Sequence, residues 1–141
     1  MAEAALPVEP IPCSDRRDHA VDVYLSAFYT GDFDRARSVV AERFRFDGPF
    51  VQADGREDFF RSAEGLRAIV RGHRLLHRWV DGDEVCSLYE VHLQTPAGTG
   101  SVTMSEWHTV HDGLLVAGRV VFDTAAFRAL MPAAPAAAPR G

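Results

Sequence analysis

The sequence predicts an α+β fold: three helices followed by a curled, mostly antiparallel sheet. Two observations carry this. Apolar residues recur at helical spacing up to about residue 70 and alternate at period two from Leu75 onward. Three turn signals, Asp81-Gly82-Asp83, Pro96-Ala97-Gly98 and Asp112-Gly113, cut the alternating half into a meander. A chain of 141 residues is enough for one domain with a real core and too short for two.

The elements follow in order. Residues 1–14 (MAEAALPVEPIPCS) and 131–141 (MPAAPAAAPRG) are rich in Ala and Pro and cannot bury a face. They read as disordered tails around one domain spanning 15–130. Ser14 or Asp15 can cap a first helix, whose stripe Val21, Tyr24, Leu25, Phe28 and Tyr29 has helical spacing. Gly31-Asp32 ends it, and Phe33 to Ala41 reads as a second, short helix. Phe44, Phe46 and Phe50 around Gly48-Pro49 suggest a short strand broken by a kink. Asp54-Gly55 is a turn, and Phe59 to Val70 reads as a third helix. Leu75, His77 and Trp79 alternate on the next strand. Val85 to Thr95, Ser101 to His111 and Leu114 to Asp123 complete the meander.

Composition narrows the function classes. Hydrophobic content of 47% with 25% charged residues is ordinary for a globular protein. A net charge of -5 with no basic stripe argues against nucleic acid or an anionic membrane surface as partner. No apolar run approaches the roughly 20 residues of a membrane helix, and the N-terminus lacks the pattern of a secretory signal. Cys13 and Cys86 are the only cysteines, so a reduced cytoplasmic protein without structural disulfides is expected. No phosphate loop or dinucleotide fingerprint is present, so no cofactor is expected.

The chemical clue is a row of ionisable residues within the alternation of the last strands. Met104, Glu106 and His108 share a strand face with Val102 and Val110, while Ser101, Thr103, Ser105 and Thr109 take the other. By the same parity Leu88, Glu90 and His92 share a face, as do Arg119, Val121 and Asp123. A carboxylate on an apolar face is costly unless paired or protonated, so these residues suggest a lined cavity. His77, His92, His108 and Glu90 offer metal-ligand chemistry, but their spacing matches no compact ligand motif and no metal is expected.

The order of elements, with Gly31-Asp32-Phe33-Asp34 after the first helix and Asp112-Gly113-Leu114 before the last strand, resembles the nuclear transport factor 2-like superfamily, its SnoaL-like branch above all. The resemblance covers roughly Asp15 to Leu130. It implies a sheet curled into a cone around the helices, with a small apolar ligand at its mouth, and a homodimer through the outer sheet face. The stretch Arg119-Val120-Val121-Phe122-Asp123 is similar to one in limonene epoxide hydrolase, which implies a catalytic Asp123. Glu90 matches the second carboxylate of that family, and Leu88 stands where the family has an arginine. Tyr24 and Glu106 match the oxyanion-hole tyrosine and acid of ketosteroid isomerase, whose general-base position falls on Gly48. His77 resembles a strand histidine of scytalone dehydratase, and Tyr29 stands at that enzyme's helix aspartate.

The expectation is a cofactor-independent acid/base enzyme on a small apolar metabolite: polyketide or terpenoid cyclisation, isomerisation, dehydration or epoxide opening. Asp123 would be the principal acid/base and Glu90 its partner. Glu106, with Tyr24 or His108, would stabilise charge on a substrate oxygen. His77, His92, Trp79, Phe28, Phe46, Phe50, Leu88, Met104 and Val121 would contact the substrate. Each role has a structural counterpart: Asp123 as a cap, Glu90 paired with Arg119 or Arg78, His108 satisfying Glu106, and Tyr24 in the core bonded to Glu106. Two whole-protein alternatives stay open. The cavity could only fold a polyene into a reactive shape, or the chain could be a non-catalytic binding or dimerising module.

Overall fold

The stripe Val21, Tyr24, Leu25 and Phe28 gives helix α1 (Cys13–Tyr29) its buried face. These observations come from a computed structural model of the chain, which describes residues 13–131. The expected tails and the side chains of Ser14 and Asp15 lie outside the described residues, apart from Cys13 and Ser14 as backbone of α1 and Met131 at the C-terminal edge. Gly31, at φ 86°, ends α1 with paired bonds from its own amide to Phe28 and from that of Asp32 to Ala27. Asp32 then caps α2 (Phe33–Arg37), its carboxylate accepting from the Arg35 amide at 3.1 Å.

Helix α2 stops four residues short of the expected Ala41. The β-branched pair Val39-Val40 turns into strand β1 (Val40–Asp47), and the Leu115 amide bonds the Val39 carbonyl at 2.8 Å. What reads as one kinked strand is a hairpin: β1 turns through residues 48–51 into β2 (Gln52–Asp54), with the Gly48 amide bonded to the Val51 carbonyl at 2.8 Å. Helix α3 (Arg56–Ala63) begins earlier than expected and loses α geometry at Glu64, passing into a 3₁₀ turn (Glu64–Ala68). Gly65, a poor helix former, sits in that turn.

The meander is as expected: β3 (Val70–Asp81), β4 (Glu84–Thr95), β5 (Gly98–His111) and β6 (Leu114–Phe122). Asp112 and Gly113 both take positive φ, the geometry of a tight two-residue hairpin turn. The six strands run in the order β2-β1-β6-β5-β4-β3, antiparallel except where β1 meets β6. The sheet is curled and unclosed, with α1 and α3 on its concave face. A fourth helix, α4 (Thr124–Leu130), had not been expected; the carboxylate of Asp123 caps it. No helix among the described residues is long and apolar enough to cross a membrane.

Candidate active site

Register decides which side chains face the concavity. On β5 the buried residues are Val102, Met104, Glu106, His108 and Val110, as the alternation implies. Directly opposed residues of an antiparallel pair project from the same face. On β4 the residues opposite Met104, Glu106 and His108 are Tyr89, Ser87 and Val85. The inner face of β4 is therefore the odd-numbered one, and Leu88, Glu90 and His92 point outward. On β6 a register irregularity at Thr109/Val110 shifts the parity after Leu115. Gly118 and Val120 then turn inward, while Arg119 and Val121 turn out.

Glu106 and His108 are 3% and 1% exposed, two ionisable side chains at the centre of an apolar face. Glu106 finds its partners within the fold. Tyr89 donates a hydrogen bond from its hydroxyl to Glu106 Oε1. The Tyr29 hydroxyl lies 2.9 Å from that of Tyr89. A phenol has one proton to give, so with Tyr89 committed to the carboxylate the chain runs Tyr29 to Tyr89 to Glu106. His108 Nε2 stands 3.1 Å from Glu106 Oε2, an ion-pair distance, yet neither ring nitrogen meets hydrogen-bond geometry with a described residue. Tyr24 packs edge-on against the His108 ring, with centroids 5.1 Å apart. A Cβ on Gly118 would come within 2.9 Å of His108 Cδ2, so the missing side chain there is what seats the imidazole.

All three tyrosines of the chain meet at this point. Burial, and then the nearby Glu106 charge, pushes the pKa of Tyr24, Tyr29 and Tyr89 well above the ordinary phenol value. They therefore remain neutral donors at any ordinary working pH.

A cavity of about 220 Å³ opens from this network. Tyr29, Tyr89, Met104 and Glu106 form its closed end, and Tyr24, Phe28, Phe46 and Phe59 its walls. Phe50, Phe122 and Phe127 ring its more exposed end, the three rings packed 5.3–5.7 Å apart. Among the described residues Glu106 is the single carboxyl on the lining, and no arginine or histidine reaches it. A larger open hollow bounded by Arg45, Asp47, Asp54 and Arg119 is a less promising site. Its charges pair among themselves, Arg45 with Asp54 at 4.0 Å and Arg119 with Asp47 at 3.8 Å.

The structure thus gathers Tyr24, Phe28, Phe46, Phe50, Met104 and Glu106 around one cavity, with His108 behind the carboxylate. The other expected residues stand elsewhere. Asp123 is exposed and spends one oxygen on the amides of Ala125 and Ala126, at 3.0 and 3.2 Å. Glu90 lies on the outer face, paired with Arg74 at 3.0 Å and with neither Arg78 nor Arg119. The two carboxylates do not face each other across a cavity. His92 bonds Ser101 on the outer face, and exposed His77 packs at a tilt against Trp79, itself 50% exposed. Leu88 and Val121 likewise point outward. His77, His92 and Glu90 are therefore separated from His108 by the sheet, and no group of three metal-ligand side chains forms among the described residues. Tyr24 forms no bond with Glu106; Tyr89 takes that place.

Tyr89 and Tyr29 are the site residues that sequence reasoning missed. The signal for Tyr89 was present, because Val85, Tyr89, Val91 and Leu93 make a more apolar face than Cys86, Leu88, Glu90 and His92. Tyr29 was visible as the last member of the α1 stripe but had no polar partner to point to.

Comparison with known proteins agrees with this architecture. Residues 21–118 match the family model described as SnoaL-like domain. No protein of curated function matches the sequence. Among solved structures, a protein from Kribbella flavida is 26% identical at a TM-score of 0.69, over 78% of this chain and 88% of that one. An LEH-like epoxide hydrolase from M. tuberculosis is 22% identical at a TM-score of 0.71, over 84% and 92%. A putative SnoaL-like polyketide cyclase from Jannaschia is 18% identical at a TM-score of 0.73, over 92% and 100%. At such identities the last two establish a shared fold and no more.

Proposed function

The chain belongs to the SnoaL-like domain family, and from that premise we propose that it is a cofactor-independent acid/base enzyme for a small apolar metabolite of the polyketide or terpenoid kind. One observation carries the reading: Glu106 ends an apolar cavity, hydrogen-bonded to Tyr89 and backed by His108. A proton leaving a bound substrate goes to that carboxylate, since among the described residues it is the one carboxyl on the cavity wall. The Tyr24 hydroxyl, kept protonated by burial and outside the chain of bonds to Glu106, donates to the oxygen on which charge develops. Returning the proton to another atom isomerises the substrate, and the aromatic walls that hold it folded favour ring closure. One carboxyl suits such relocation better than epoxide opening, which asks for an acid and a base at once.

The test is turnover of a panel of cyclic enones, epoxides and polyenes by the wild type, Glu106→Gln and Asp123→Asn. Glu106→Gln is expected to lose about a hundredfold to ten-thousandfold in rate, and Asp123→Asn to stay active. A fully active Glu106→Gln variant sinks the assignment.

A second reading, a binding module without chemistry, is favoured by the position of Asp123 and Glu90 outside the cavity. It predicts ligand binding with no turnover in wild type or variant. A homodimer across the outer sheet face is proposed under either reading, supported by exposed Trp79 and Val121. A monomer mass by light scattering would overturn it.

A further inference from the structure

The cavity has a sign as well as a shape. Among the described residues Glu106 is its one carboxyl and no arginine or histidine lines it; His108 stands behind the carboxyl group, its Nε2 3.1 Å from Oε2. Arg78 is held by Ser87 at 2.8 Å and by Asp18 at 2.9 Å. Arg128 lies over the ring of Phe50, 5.1 Å from its centroid, at the more exposed end. An anion entering would lose its hydration shell and meet the Glu106 carboxyl, with no positive side chain on the described lining to offset either cost. An uncharged ligand of the same shape faces neither, and a hydroxyl on it finds an acceptor in Glu106. A cation loses hydration too, but it gains the carboxylate and the faces of the aromatic walls. Size sets a second bound. A dry cavity of roughly 150 Å³ accommodates benzene, so about 220 Å³ suits a single ring with a short substituent at either end.

We propose that Glu106 makes this cavity a charge filter, which takes an uncharged single-ring molecule bearing a hydroxyl group and refuses the carboxylate of the same shape. The inference rests on the reading that this cavity is the ligand site, but not on turnover. Glu106 acts here as a specificity-determining residue.

Calorimetric titration of the full chain with three probes of one shape tests it: 4-isopropylbenzyl alcohol, the 4-isopropylbenzoate anion and protonated 4-isopropylbenzylamine. The alcohol and the ammonium are each expected to bind at least roughly tenfold more tightly than the benzoate. Equal rejection of both ions overturns the proposal, since it marks simple desolvation in an apolar hole. Benzoate binding as tight as the alcohol, or no binding of the alcohol, overturns it as well. In Glu106→Gln the gap between ammonium and benzoate should close to within about threefold; a gap that persists in the folded variant also counts against the filter. The wild-type ordering stands as a test even if that variant fails to fold. A chain that shows the ordering but turns nothing over keeps this inference and loses the acid/base reading. A chain that turns substrate over without the ordering does the reverse.

Discussion

Glu106 and Glu90 are two carboxylates on neighbouring strands, each set among apolar and histidine neighbours in the sequence, and they have opposite surroundings. Glu106 faces inward among three tyrosines and a histidine, 3% exposed. Glu90 lies on the other side of the same sheet and pairs with Arg74, whose side chain is 65% exposed. The difference is one step of parity across the β4–β5 register. It teaches that local composition can nominate a carboxylate, while the register of its strand decides whether it meets a ligand or water.

The broadest way to break this comparison is alkali. Each buried phenol keeps its proton to a higher pH in the folded chain than in the unfolded one. The unfolded state therefore binds fewer protons, and stability falls as pH rises above about 10, by up to about 4 kcal/mol per pH unit for three phenols. Because these are all the tyrosines of the chain, tyrosinate absorbance should rise together with loss of circular dichroism. Tyrosinate appearing near pH 10 in a still-folded chain would show the network to be wetter than described.

Removing one bond of the inner network comes next. Tyr89→Phe leaves Glu106 buried without its donor and is expected to cost about 1–3 kcal/mol in urea unfolding. A smaller loss is expected from the N-cap of α4: Asp123→Ala should cost about 1 kcal/mol and leave ligand binding in the cavity unchanged. The smallest effect sharpens the comparison most. Glu90→Gln removes a partly exposed ion pair and should shift stability by less than about 0.5 kcal/mol. A Glu90 variant as damaging as the Tyr89 one would erase the distinction between the two faces.

Much of the molecule was legible beforehand, for reasons that particular residues make plain. The α1 stripe and the turns at Gly82, Pro96 and Asp112-Gly113 are local signals read over a few residues, and the meander follows from them. Glu106, His108 and Met104 were correctly given the buried face because their strand alternates cleanly. Strand β6 was harder. Val120, Val121 and Phe122 are all apolar, so nothing local says which of them points in, and the register shift beside Val110 reverses the parity inherited from Leu115. Asp123 resembled a catalytic residue and proved to be a helix cap, because the Ala-rich segment after it coils into α4 instead of trailing away.

The sequence by itself determined the class of fold, the extent of the meander and the presence of an acid within an apolar face. These depend on periodicity and turn chemistry, which act between near neighbours. Only the tertiary structure decided which acid meets the cavity, that Tyr29 and Tyr89 converge on it, and that the β1 hairpin joins the sheet beside β6. Those outcomes depend on strand register and on pairing between residues 60 to 75 positions apart. Such pairings are set by the packing of the whole domain, which no local window of the chain contains.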